Sequence, residues 1–419
     1  MSIIKPFRGI CYDREKVIDL SRVVCPPYDV ISEFEQDFFY QQSPYNFIRL
    51  ILNKGEPNDT SENNRYTRAT AIFNEWLKIH VLRQDTEEAV YFYKQDYFVD
   101  GSESSRLGFI ALMQIQDEGV VFPHENTHHA PKMDRFELIK NVKANLTPIF
   151  TVFSDKKNIV KKIFENELSK REPDACLKDA QGIRNSLWRV TDRQTIDDIA
   201  DIIKKSHIFI ADGHHRYEVA SMYRAMMQKE DNSYTQEKSY NYVMTYFTAL
   251  ESKGLCILPV HRVVKPAVDI AVLKNVFAIH RLNSLFELDE KIRSASKKEC
   301  VFGFLQHSEV YLLELNKKKR FMSTFIHQKC FRDLDIAFLD NYVLAELLHI
   351  DKSDMLYTKE ISEARALLDS DCGSVAFIVR ATTIQQIRSV ALCGERMPPK
   401  STYFYPKLLS GLVLHRFEE

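Results

Sequence analysis

Glycine is scarce in this chain, with 12 in 419 residues, and no stretch reads G-x-x-x-x-G-K-[ST] or G-x-G-x-x-G. That excludes the backbone cradle of a classical P-loop and the Rossmann dinucleotide fingerprint. Any phosphate would have to be held by side chains and a helix start. Cysteine pairing is missing as well. The eight cysteines (Cys11, Cys25, Cys176, Cys256, Cys300, Cys330, Cys372 and Cys393) contain no C-x-x-C, which indicates neither a zinc ribbon nor a disulfide framework. They are expected to be reduced, several of them as small core residues. Neither sign of charge dominates: 57 Lys and Arg against 58 Asp and Glu leave a net charge of -1. A nucleic-acid binder usually presents a basic face, so no nucleic-acid partner is expected. No run approaches the roughly 20 apolar residues of a membrane span, and residues 1–6 lack the apolar core of a signal peptide. The expectation is a cytoplasmic protein with no membrane partner. Repeats and sustained heptads are absent too.

What is present is ample apolar material, 45% of the chain, enough for one large or two ordinary domains. The most informative stretch is Ile208-Phe209-Ile210-Ala211-Asp212-Gly213-His214-His215-Arg216-Tyr217-Glu218. An apolar run breaks at Asp-Gly and resumes as an amphipathic segment, which reads as strand, tight turn and helix start. Unpaired N–H groups at a helix start attract anions, and His214, His215 and Arg216 in the first turn strengthen that attraction. The competing reading makes Asp212 a helix cap and the histidines surface residues.

A second cluster is Val121-Phe122-Pro123-His124-Glu125-Asn126-Thr127-His128-His129-Ala130-Pro131. It contains a literal H-E-x-x-H, which binds zinc only from one face of a helix. Pro123 and Pro131 bracket the segment and Asn-Thr are poor helix formers, so a loop is expected, with a helix from Lys132 to Leu146. A glutamate on such a loop suits general-base work on a substrate hydroxyl. Two further stretches stand out. Cys25-Pro26-Pro27-Tyr28-Asp29-Val30 stiffens the chain and fixes how Tyr28 and Asp29 project. Met397-Pro398-Pro399-Lys400-Ser401-Thr402-Tyr403-Phe404-Tyr405-Pro406-Lys407 reads as a docking tail whose lysines supply positive charge, or as an edge strand over the core.

In order and spacing these four stretches resemble the family of conserved bacterial proteins catalogued as domain of unknown function 1015. Lys5-Pro6-Phe7-Arg8-Gly9 and Leu258-Pro259-Val260-His261-Arg262 extend the similarity along the whole chain. A more distant likeness links the H-E loop and the D-G-H-H-R turn to the ParB/sulfiredoxin-like group. Its free serine kinases use a glutamate of an H-E segment as base and a G-H-x-R-type turn for nucleotide phosphates. The resemblance implies Glu125 as base and Asp212, Gly213, His214, His215 and Arg216 as the phosphate-binding turn. Two departures stand against it: this chain is much longer, and Ser154 to Asp192 widens the interval between the motifs.

The expected fold is α/β (α+β). A mixed-sheet ParB-like domain spans residues 1–264, a smaller α+β domain 265–395, and a Pro-rich tail 396–419 packs back on the first. Within it, Asp100-Gly101-Ser102-Glu103 reads as a hairpin turn, Asn46 to Leu52 as a strand, and Ala271 to Ile279 as a helix. The expected activity is phosphoryl transfer on a small hydroxylated metabolite, free serine or phosphoserine, with Mg2+ and ATP, ADP or pyrophosphate. Glu125, His124 and Asp212 are the catalytic candidates, Asp212 orienting the turn or holding Mg2+. Gly213, His214, His215, Arg216, Lys400 and Lys407 are candidates for phosphate, and Tyr28, Asp29, Thr127 and Arg262 for substrate. The alternatives are a phosphomonoester hydrolase and a nucleotide-binding regulatory module of the ParB type.

Overall fold

A computed structural model describes residues 4–116, 119–125, 129–296, 299–316, 329–331, 334–371 and 373–417. The chain divides into two units: Met1–Pro123, Thr127–Cys256 and Pro406–Glu419 form the first, His124–Asn126 and Ile257–Tyr405 the second. Residues 257–264, expected in the first domain, therefore lie in the second, because His261–Val264 is an inner strand of its sheet. The expected tail is shared, with Pro406 onwards in the first unit.

The first unit is built on a nine-stranded mixed sheet. From one edge its strands run Val121–Phe122, Ile208–Asp212, Ile149–Phe153, Tyr242–Ala249, Ser102–Gln114, Val90–Val99, Arg184–Val190 and Ala175–Lys178, with Ile4–Lys5 also on Ser102–Gln114. Ile208–Asp212 is parallel to Val121–Phe122 and antiparallel to Ile149–Phe153. Tyr242–Ala249 is buried along nearly its whole length, as befits a strand covered on both faces. The long hairpin closes at Asp100-Gly101, both with positive φ, which is the two-residue turn whose twist matches the strands it joins. Phe109 stacks on Phe247 at 5.0 Å in a core that includes Ile196, Ile199 and Ile203 of the helix Arg193–Lys204. That apolar spacing, with Asp192 accepting from Thr195 N at 2.8 Å, is why the helix forms and where it starts.

One expectation fails here for a local reason, and one pair of strands is unforeseen. Asn46 to Leu52 contains the short helix Ile48–Ile51 instead of a strand, because the Asn46 side chain accepts from Ile48 N at 3.0 Å and turns the chain. The interval 154–192 holds two unforeseen strands, Ala175–Lys178 and Arg184–Val190. Asn185 and Ser186 break the apolar pattern of the latter, yet both are buried.

The second unit carries a six-stranded antiparallel sheet in the order Phe277–Leu282, Glu309–Leu315, Val301–Gln306, Val375–Ile378, His261–Val264, Met355–Thr358. Leu288 and Ile292 of the helix Leu285–Ser294 and Ala364 and Leu368 of the helix Ile361–Ser370 share its core. The expected helix at 271–279 ends early: the helix is Ile270–Leu273, and Phe277 already pairs with Leu315 as an edge strand. Among the described residues no helix is long and apolar enough to cross a membrane.

Candidate functional site

The strand Ile208–Asp212 delivers the chain to Gly213, whose φ of +90° lies in the left-handed region, and the helix His214–Glu230 begins at once. The positive φ is what favours glycine, and a Cβ on Gly213 would sit 3.0 Å from Cζ and Nε of Arg216, so the guanidinium would have to shift slightly. Gly213→Ala is expected to lower stability by about 1–3 kcal/mol. An unchanged urea midpoint would contradict that reading of the turn.

Gly213 holds the N-cap position of this helix and has no side chain to cap it, and Asp212 just before it is held by two cations. Its Oδ2 accepts from Arg216 Nη2 at 2.5 Å, its Oδ1 accepts from Lys407 Nζ, and Arg216 also donates to the Pro148 carbonyl. The three side chains are only 12–14% exposed. Burial works to raise the Asp212 pKa, but the Lys407 and Arg216 charges outweigh it, helped by the Lys407 hydrogen bond and by His214. The carboxyl is held well below its usual range. It therefore stays ionised throughout neutral and mildly acidic solution. One carboxylate against two cations leaves the cluster with a surplus positive charge, beside the positive end of a 17-residue helix.

Arg216 also lines a cavity of the first unit, together with Tyr28, Ile51, Arg135, Asn145 and Thr147. Its volume is about 60 Å³, and the remaining lining is aliphatic. Tyr28 opens a short turn, Tyr28–Val30, straight after Pro27, as the rigid Pro-Pro step suggests. Its ring lies 4.1 Å from the Arg135 guanidinium carbon. Burial and the Asp29 charge push the hydroxyl up to about 12, against the pull of Arg135 and Arg216, so it is a protonated donor at neutral pH. Asp29 itself is exposed. Arg135 is buried, donating to Asp134 Oδ2 at 2.7 Å and to the Ile51 carbonyl. Sequence reasoning passed over Arg135, though a signal exists. It occupies the first position of the stripe Arg135, Leu138, Ile139, Val142 that the helix His129–Val142 buries.

His124, Glu125, Lys400 and Arg262 belong to the second unit. His124 is fully buried, its Nε2 3.2 Å from Thr402 Oγ1 and its ring edge-on to Phe404. Glu125 forms a parallel bridge with Met397, whose N–H donates to the His124 carbonyl at 2.7 Å. That extended backbone is not the helix an H-E-x-x-H zinc site requires. Thr127 and His128 lie outside the described residues. The Glu125 carboxylate accepts from the backbone N–H of Lys400, a residue with φ +59°. Arg262, expected at a substrate, is instead fully buried with its fork on Asp340: Nε to Oδ1 at 2.9 Å and Nη2 to Oδ2 at 2.8 Å. Its Nη1 donates to the carbonyls of Val260 and Lys400. Removing Asp340 would leave that guanidinium as an uncompensated buried charge.

The expected magnesium ligand does not fit either. Both Asp212 oxygens accept from cations, and a metal ion there would face two positive charges. Among the described residues no group of three or more His, Cys, Asp or Glu is placed to hold a metal.

Among solved structures, a conserved hypothetical protein from Pyrococcus furiosus is similar at 14% identity and a TM-score of 0.33, with 69% of this chain and 88% of that one covered. A free serine kinase in complex with AMP is similar at 13% identity and a TM-score of 0.31, covering 68% and 83%. SbnI with a C-terminal truncation, from Staphylococcus aureus, is similar at 9% identity and 0.36, covering 72% and 85%. No curated protein matches the chain. The family described as "Protein of unknown function (DUF1015)" matches residues 4–340, most of the sequence, and the chain belongs to it.

Proposed function

We propose that this protein is a phosphotransferase. The phosphates of a nucleotide, or pyrophosphate, bind at the Gly213–Arg216 helix start of the first unit. A phosphoryl group passes to or from the hydroxyl of a small metabolite. The observation that carries the reading is the Asp212–Arg216–Lys407 cluster. Its surplus positive charge borders the start of the helix His214–Glu230, and its Arg216 reaches a largely aliphatic cavity. A ligand with an anionic chain and a less polar body matches that combination.

Glu125 is assigned the role of base, taking the hydroxyl proton as the oxygen attacks phosphorus. His124 would orient that loop through Thr402. The likeness of the H-E and G-H-H-R motifs to those of free serine kinases makes serine and phosphoserine the first acceptor and donor to try. Magnesium, commonly needed in such transfers, would arrive with the nucleotide and supply charge neutralisation on its phosphates. Lys407 and Arg216 neutralise from the protein side.

The test is phosphorus NMR of the protein with phosphoserine, in the presence and absence of ADP or pyrophosphate. The reading predicts ATP, or a new phosphoanhydride, only when the acceptor is supplied. Release of inorganic phosphate regardless of acceptor would replace it by a hydrolase. Tight nucleotide binding with no product from a panel of hydroxylated amino acids would replace it by a regulatory module.

A further inference from the structure

Three neighbouring strands of the first sheet carry polar side chains where a sheet interior normally carries apolar ones. Asn185, Gln95 and Arg106 lie in register, Asn185 opposite Gln95 and Gln95 opposite Arg106, and all three are at most 1% exposed. They form a continuous ladder. Tyr93 Oη donates to Asn185 Oδ1 at 2.6 Å, Gln95 Nε2 donates to the same oxygen at 3.0 Å, and Arg106 Nη2 donates to Gln95 Oε1. The Arg106 guanidinium carbon lies 4.6 Å from the centre of the Phe150 ring. A buried polar row of this kind costs stability unless its hydrogen bonds are filled, and an apolar row of similar volume would avoid that cost.

What the ladder grips is the backbone of the C-terminal segment. Arg106 Nη2 donates to the Pro406 carbonyl at 2.5 Å, and Gln95 Nε2 donates to the Lys407 carbonyl at 3.0 Å. Two consecutive carbonyls of an irregular stretch are thereby tied to central strands of the sheet. The residue they frame is the one whose ammonium meets Asp212. Without such anchorage a terminal lysine would lose most of its electrostatic value to conformational freedom.

We infer that Gln95 and Arg106 are positioning residues: through the Pro406 and Lys407 carbonyls they set where the Lys407 ammonium stands at the Asp212–Arg216 cluster. The inference rests on the phosphate-binding reading only for its functional consequence. The placement of Lys407 against Asp212 is measurable without any ligand.

The test is a double-mutant cycle on the full-length chain pairing Gln95→Met with Lys407→Met, and in parallel Gln95→Glu with Lys407→Met. The glutamate keeps an acceptor for Arg106 and removes the donor to the Lys407 carbonyl, so it guards against a Met variant that fails to fold. Two quantities are followed: the Asp212 carboxyl titration by carbon NMR, and the affinity for ADP by calorimetry. Positioning predicts that either Gln95 variant moves the Asp212 titration up toward the ordinary carboxylate range and weakens ADP binding about tenfold. Neither effect should recur in the Lys407→Met background. Effects of equal size in both backgrounds would mean that the ladder serves the fold alone, and would overturn the inference. So would an Asp212 titration that does not move. An Asp212 titration that shifts only when Lys407 is present, in a protein that binds no ADP, would uphold the positioning and remove the proposed function.

Discussion

Arg216→Ala is expected to weaken binding of ADP or pyrophosphate by about 10- to 100-fold, the loss that accompanies removal of one or two hydrogen bonds to a charged group. The side chain is already pre-arranged: it donates to Asp212 and to the Pro148 carbonyl, and the bare Gly213 leaves room for its guanidinium. Little ordering remains to be done when an anion arrives. Arg216→Lys keeps the charge but not the planar fork, so it should recover only part of the affinity. The substitution also has a signature in acid. Asp212 ionises unusually easily because of Lys407 and Arg216. Its folded-state pKa lies below the unfolded one, so the cluster stabilises the fold above the ordinary carboxylate range and loses that contribution as pH falls toward the lower, folded value. With Arg216 gone the folded value rises, so the contribution is smaller at neutral pH and its loss is complete at a higher pH. Acid unfolding followed by circular dichroism should show the variant unfolding earlier on acidification, and coincident curves would contradict the account of the cluster.

Glu125→Gln is expected to reduce phosphoryl transfer by about 10²- to 10⁴-fold while nucleotide affinity stays unchanged. The amide keeps an oxygen to accept from Lys400 N–H, so the loop bridged to Met397 has no reason to rearrange. What disappears is the ability to take up a proton. Near-normal turnover by a folded Glu125→Gln protein, measured by the same phosphorus NMR, would remove Glu125 as the base. A parallel loss of nucleotide affinity would assign it to binding.

Local features of the fold were the most legible in the sequence. Asp100-Gly101 announces its hairpin because only residues tolerant of positive φ close a two-residue turn, and Asp212-Gly213 announces a strand ending at a helix start. The mixed sheet follows from a hairpin combined with strand-helix alternation. Strand Arg184–Val190 was hidden because its buried Asn185 looks polar until its partners Tyr93 and Gln95, about ninety positions away, are known. The short helix Ile48–Ile51 reads as an apolar strand until the Asn46 side chain is seen to turn it.

The site divides along the same line. The composition of the turn pointed to Arg216 and His214, but nothing near Asp212 in the chain marks Lys407 as its second partner, 195 positions on. Arg262 was misleading for a related reason. A basic residue after an apolar strand looks available, and only the distant Asp340 shows that it is a buried ion pair. His124 and Glu125 give no local sign that they pair with Met397 and Lys400 in the second unit.

The most direct measurement is a crystal structure of the protein with ADP bound. The account predicts phosphate oxygens within hydrogen-bond distance of the His214–Arg216 backbone amides and of the Arg216 guanidinium. ADP bound elsewhere, with the contacts of Arg216 and Lys407 to Asp212 unchanged, would contradict it.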